Sequence, residues 1–156
     1  MKTKRPRCIA GIKDVKSERY VGPGIAGKSW NLGRAAGAGR LGVDVTEISP
    51  SSNSSRFHCH GRKEEFFFVL SGRCRLRLGR GEHELGAGDA VSRPAGTGVC
   101  HQFRNPYKKP CRILMVGVQT GSGISDRVEY PESGETLIVR ADGRRGIFRR
   151  RARGGN

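Results

Sequence analysis

Residues 58–72 read His58-Cys59-His60-Gly61-Arg62-Lys63-Glu64-Glu65-Phe66-Phe67-Phe68-Val69-Leu70-Ser71-Gly72, and the interpretation of the chain turns on them. Side chains two apart on a strand share a face, so His58 and His60 point one way while Cys59 points the other. The run Glu65 to Leu70 is aromatic and branched, as strands are, and it opens on a carboxylate. A second run, Cys74-Arg75-Leu76-Arg77-Leu78, alternates strictly after Ser71-Gly72-Arg73. Residues 65–78 are therefore expected to form a hairpin turning on Gly72, with Leu76 and Leu78 inward and Arg73, Arg75 and Arg77 in water.

Outward from this stretch the pattern of short strands continues. Leu41, Val43 and Val45 alternate with Gly42, Asp44 and Thr46, and residues 49–55 make a loop rich in Ser, Pro and Asn. Downstream, turns at 79–81 and 86–89 bound a short strand over 82–85, and Ala90 to Arg93 follows. Pro94 to Gly98 break the sheet before Val99 to Asn105 and Cys111 to Thr120. About eight strands suffice to roll two sheets around a core, so the expected class is all-β. The domain is expected over 41–139, with 121–139 peripheral to it. Residues 1–40, rich in Gly and poor in apolar residues, predict an extended lead-in, and residues 140–156 a disordered basic tail.

Composition narrows the functional classes. No apolar stretch approaches the roughly 18 residues that cross a bilayer, and the basic start MKTKRPR leads into a mixed segment, so a cytoplasmic location is expected. The five cysteines include no CxxC pair, which argues against both a disulfide framework and a thiolate zinc site. The net charge of +16 suggests nucleic acid until it is mapped. Residues 1–7 carry Lys2, Lys4, Arg5 and Arg7, and 140–156 carry seven Arg against Asp142, so ten of the sixteen charges sit at the ends. GPGIAGKS at 22–29 and GAGRLG at 37–42 match phosphate-loop and dinucleotide patterns, but neither has the strand before and helix after that those sites need.

The chemistry converges on four side chains. If the strand opening at Glu65 lies beside His58 and His60, its carboxylate joins the two imidazoles, and His101 can come from an opposing strand. Three imidazoles and a carboxylate suit one divalent transition metal ion (Fe, Mn, Ni, Cu or Zn), with positions left open on an octahedral ion. Cys59 and Cys100 adjoin ligands but turn away as packing residues, and His83 has no partner at ligand spacing. Arg56 shares the parity of the histidines and is a candidate for a substrate anion, with Gln102 and Phe103 as further pocket walls. Phe66 and Phe68, opposite in parity to Glu65, predict a dimer interface or a covered outer face.

These residues carry a resemblance to the cupin superfamily. HCHGRKEEFFFVLSG is similar to its first motif, G(X)5HXH(X)3-4E(X)6G, at His58, His60, Glu65 and Gly72, with Ser52 at the leading Gly. GDAVSRPAGTGVCHQFRN resembles the second, G(X)5PXG(X)2H(X)3N, at Gly88, Pro94, Gly96, His101 and Asn105, with four residues rather than two before His101. The longer PAGTGVCHQF and the later EYPESGE look like small single-domain cupins. The resemblance implies a double-stranded β-helix, or jelly-roll, barrel and the metal ligands His58, His60, Glu65 and His101.

The expected function is a metal-dependent enzyme acting on a small anionic molecule. Dioxygenases, decarboxylases and sugar-phosphate isomerases of the family use similar sites, and no residue here selects among them. The alternatives are a noncatalytic module that senses or binds a small ligand, and nucleic-acid association through the basic ends.

Overall fold

The computed structural model describes residues 6–119 and 123–149. Fourteen strands run in chain order: β1 (Glu18–Gly22), β2 (Ile25–Asn31), β3 (Leu41–Ile48), β4 (Ser52–Asn53), β5 (Cys59–His60), β6 (Glu65–Ser71) and β7 (Arg73–Leu78), then β8 (Gly81–Gly86), β9 (Ala90–Arg93), β10 (His101–Asn105), β11 (Cys111–Val118), β12 (Asp126–Tyr130), β13 (Glu135–Val139) and β14 (Arg145–Arg149). One helical turn, α1 (Leu32–Ala35), joins β2 to β3. Ten strands form a curled sheet in the order β8-β7-β10-β4-β2-β3-β11-β6-β9, with β1 on β2, and the other four form the order β14-β13-β12-β5. The all-β jelly-roll barrel is thus the observed architecture.

The core lies inside the curl. Ile48, Phe67, Val69, Cys74, Leu76, Phe103, Cys111 and Ile113 form one buried cluster drawn from β3, β6, β7, β10 and β11. Parity holds along β6, where Glu65, Phe67 and Val69 are buried while Phe66 stays 43% exposed. Phe68, on the same outer face, is half-buried.

The expected 65–78 hairpin does not form. Strand β6 pairs with β11 and β9, whereas β7 pairs with β10 and β8. Gly72 is a corner where the chain crosses between the two layers of the barrel. It has φ 79°, and a Cβ there would lie 2.6 Å from the Pro110 carbonyl oxygen, so both backbone sign and close approach demand glycine. The true hairpin is β7–β8, closed at Gly79-Arg80.

Three further expectations change. The lead-in contains β1 and β2, and β2 sits inside the ten-stranded sheet between β4 and β3. Gly27 allows this, because Tyr20 crosses it to donate a hydrogen bond to the Glu47 carbonyl at 3.0 Å. GPGIAGKS accordingly runs through the β1–β2 turn into a strand, with Lys28 opposite Glu47, which excludes a phosphate loop. Residues 126–139 are not peripheral but form β12 and β13, which pair with each other, and β12 pairs in turn with β5. The segment expected to be a disordered tail supplies β14, held by the ladder to β13 rather than by burial, since Ile147 is 67% and Phe148 60% exposed. Residues 150–156 lie outside the described residues. Among the described residues no helix is long and apolar enough to cross a membrane.

Candidate metal centre

The site assembles where the two sheets meet. Strand β5 pairs with β12, placing His60 opposite Val128, and His58 forms a bridge with His101 through two backbone hydrogen bonds of 3.1 and 2.7 Å. Glu65 opens β6 on the same interior. His58, His60 and Glu65 each offer one donor atom, and all three atoms lie within 4.8 Å of one another. His101 joins them, with Nε2 3.5 Å from Glu65 Oε2 and its ring 4.7 Å from that of His58.

Hydrogen bonds fix how the rings point. His58 Nδ1 lies 2.7 Å from the Arg56 carbonyl, which only accepts, so Nδ1 carries the proton and Nε2 offers its lone pair. His60 Nδ1 lies 2.5 Å from Asp126 Oδ2, which accepts its hydrogen bond, so Nε2 is the atom turned toward Glu65, 3.3 Å away. Asp126 is itself held by the amides of Arg62 at 2.9 Å and Lys63 at 3.3 Å. Such outer partners set tautomer and orientation in metal-binding histidines.

Charge and burial match this arrangement. Burial and the neighbouring His60 push His58 below the ordinary imidazole value, and burial and His58 push His101 down to about 3. Burial works to raise Glu65, but His60 and the Lys63 ammonium, 3.0 Å from Oε1, overcome it and hold the carboxyl below its usual value. Burial opposes ionisation of Asp126 too, yet the bonds from His60 and the Arg62 amide hold it well below the carboxylate range.

The donor set fits a cation. Glu65 Oε2 is buried and accepts no hydrogen bond, while His58 and His60 commit Nδ1 to Arg56 and Asp126 and leave Nε2 as the ligand atom beside it. Buried acceptors facing one another are unfavourable unless a positive ion lies among them, and imidazole with carboxylate is the donor chemistry of divalent transition metals. His58, Glu65 and His101 also line a cavity of about 160 Å³ closed by Phe67, Phe103 and Met115. A second cavity of about 160 Å³ shares His58 and runs between the barrel mouth and the β12–β14 face, past His60, Lys63 and Tyr130.

The other candidates divide. Phe103 walls the inner cavity as expected. Gln102 is buried on the other side of β10, donating to the Ser55 carbonyl at 2.7 Å, and faces away from the metal ligands. Arg56 also lies off the interior. Sheet pairing reaches back only to the His58–His101 bridge, and the chain bends at Phe57, so the alternation that joins His58 to His60 does not extend to Arg56, which pairs with Glu135 at 2.6 Å and stacks on Tyr130. Cys59 and Cys100 turn away together, their sulfurs 2.7 Å apart beside Phe57, as packing residues. His83 is exposed on β8. Lys63 and Asp126 escaped the sequence reading, because Lys63 lies before β6 begins at Glu65 and nothing in the spacing marks Asp126.

Comparison with known proteins agrees with the geometry. The cupin domain family matches residues 44–117. A provisionally named sugar phosphate isomerase from Acidithiobacillus ferrooxidans superposes with TM-score 0.82 at 25% identity, covering 91% of this chain and 92% of that one. A cupin-superfamily sugar phosphate isomerase from Silicibacter pomeroyi gives TM-score 0.80 at 28% identity, with 90% and 91% covered. The polyketide cyclase RemF from Streptomyces resistomycificus gives 0.61 at 30% identity, with 70% and 78% covered. Among curated proteins no significant match exists. The barrel and its His/Glu group are those of a cupin, and the chain belongs to the cupin superfamily.

Two outcomes are expected here. Asp126→Asn should weaken metal binding roughly 10- to 100-fold while the ligands remain, because the amide no longer fixes the His60 ring. Chelator competition measures this, and an unchanged affinity would remove Asp126 from the site. The second outcome concerns acid. Unfolding returns His58 and His101 to the ordinary value of 6.5, above their folded values, so between that pH and about 3 the unfolded chain binds more protons. Chelator-treated protein should therefore lose stability as pH falls below 6.5, by at most about 1.4 kcal/mol per pH unit per group. Glu65 and Asp126, also depressed, add to the loss only below about pH 4. Thermal unfolding from pH 8 to 4 reads the trend, and a melting temperature flat from 6.5 to 4.5 would contradict it.

Proposed function

We propose that this chain is a metal-dependent isomerase of small phosphorylated sugars, with one divalent transition metal ion held by His58, His60, Glu65 and His101. The observation that carries the reading is the convergence of three imidazoles on the unpartnered Oε2 of Glu65. A metal at that point supplies a Lewis acid for a carbonyl or hydroxyl oxygen. The chain supplies the remainder. Phe67, Phe103 and Met115 exclude water from one side of the cavity, and Thr46, Ser54 and Ser55 bring hydroxyl groups suited to a polyol. The choice of isomerase over other cupin reactions draws support from the two named sugar phosphate isomerases that match over nine-tenths of both lengths. That match reaches beyond residues 44–117 into the strands flanking them.

The test is direct. Protein reconstituted in turn with Fe, Mn, Ni, Cu or Zn is incubated with aldose and ketose phosphates of three to six carbons in deuterated water. Interconversion, followed by NMR, is the expected result for at least one pair. A protein that binds metal yet leaves every sugar phosphate unchanged would end the isomerase reading.

A further inference from the structure

The second cavity has one wall from the ten-stranded barrel and one from the four-stranded sheet, and the register of that sheet decides what faces the ligands. Asp126 pairs with Val139, and Val139 pairs with Arg145. Directly opposite residues share a sheet face, so Asp126, Val139 and Arg145 form one row across β12, β13 and β14. His60 opens the neighbouring row, opposite Val128, which pairs with Leu137. All six line the same cavity.

The charges in that cavity are not equally free. Asp126 is committed to His60 and to the Arg62 and Lys63 amides, and Lys63 to Glu65. Arg145 is different: among the described residues it makes no hydrogen bond or salt bridge, although Arg144 beside it binds Asp142 and Arg149 on its own strand binds Glu135. Adjacent strands lie about 4.8 Å apart, so the Arg145 backbone is two strand spacings from that of Asp126, within the reach of an extended guanidinium. Gln119, which follows β11 on the barrel wall of the cavity, keeps a buried Oε1 without a partner. That atom is an acceptor suited to a hydroxyl group rather than to an anion.

We infer that Arg145 is the anchor for the anionic head of the substrate, a phosphate monoester, and that the second cavity holds this head while the reacting carbons reach the metal ligands past His58. The identity of the anion rests on the isomerase reading above; the presence of an anion site does not. A guanidinium offers paired donors that match two phosphate oxygens, and Arg145, itself exposed, presents them at the rim of a cavity lined by apolar Val128, Leu137 and Val139. The arrangement also explains why a strand with exposed Ile147 and Phe148 is kept: β14 carries the cation to the site.

The experiment titrates inorganic phosphate, and separately acetate, into metal-loaded full-length protein by calorimetry, using wild type, Arg145→Ala, Arg145→Lys and the neighbouring control Arg144→Ala. Arg145→Ala is expected to weaken phosphate binding at least tenfold, Arg145→Lys to recover part of it, and Arg144→Ala to change nothing. Metal content should stay equal in all four, since Arg145 touches no ligand. In turnover, Arg145→Ala should raise KM for the sugar phosphate and leave kcat within about twofold. Wild type that binds no phosphate, equal phosphate affinity in the two alanine variants, or metal lost together with phosphate would each overturn the assignment, and preference for acetate would overturn the phosphate monoester. Because binding is read without turnover, the two proposals fail separately. Phosphate held through Arg145 by a protein with no isomerase activity sinks only the reaction, and activity indifferent to Arg145→Ala sinks only the anchor.

Discussion

Glu65→Gln is expected to lower metal affinity by at least about 100-fold while leaving the barrel folded. The magnitude follows from the chemistry of the set, in which Glu65 is the one carboxylate beside three imidazoles. Even an outer partner of a ligand typically contributes 10- to 100-fold, and losing a charged ligand exceeds that. Glutamine keeps the volume, so Phe67 and Met115 retain their packing, but the amide turns either a dipole or an N–H toward the imidazole lone pairs. The fold tolerates the change because it removes a buried charge, at the cost of the Lys63 ion pair at 3.0 Å. Two measurements separate the effects. Wild type should gain melting temperature on metal addition, by mass action on the folded state, and Glu65→Gln should gain none at the same concentration. If the variant binds metal as tightly as wild type, the carboxylate is not a ligand and the proposed centre is wrong.

How much of this site was legible in the sequence depends on the distance over which each residue acts. His58, His60 and Glu65 follow from parity on strands that are nearly consecutive, and β6 obeys that parity with Glu65 buried and Phe66 exposed. Arg56 shows where the rule stops, because alternation binds only residues in one continuous extended run, and here that run reaches back to the His58–His101 bridge and ends at the bend of Phe57. Asp126 and Arg145 were invisible for a different reason. Their place depends on β12 choosing β5 as partner and β14 choosing β13, pairings set by the three-dimensional course of the chain rather than by local pattern. The strands β1 and β2 escaped because most of their residues are only half covered, so no clean alternation of apolar and polar marks them. Gly72 carried the right local signal, a need for positive φ, but a jelly-roll corner and a hairpin turn make the same demand.

Asn105→Ala is expected to destabilise the fold by about 3–5 kcal/mol, although the residue touches no ligand. It is the last position of the second cupin-like motif, yet its role is structural. Its side chain is 1% exposed, and Nδ2 donates to the carbonyls of Ile48 at 3.0 Å and Lys109 at 2.9 Å while Oδ1 accepts from the Tyr107 amide at 3.0 Å. One amide therefore ties the end of β3 to the turn that leads from β10 into β11, next to Cys111 and Ile48 in the core. Alanine leaves these backbone groups without that partner in a region water does not reach, and each such loss typically costs about 1–3 kcal/mol. For a domain of this size the melting temperature should fall by roughly 10 °C. Asn105→Asp should be at least as damaging, because it loses both donors and buries a charge opposite two carbonyls. What folded Asn105→Ala remains should bind metal with wild-type affinity, since His101, at the other end of β10, is held by its own backbone bridge to His58. Weakened metal binding in protein shown to be folded would mean instead that the β10–β11 turn positions His101, and that the motif couples stability to the metal site.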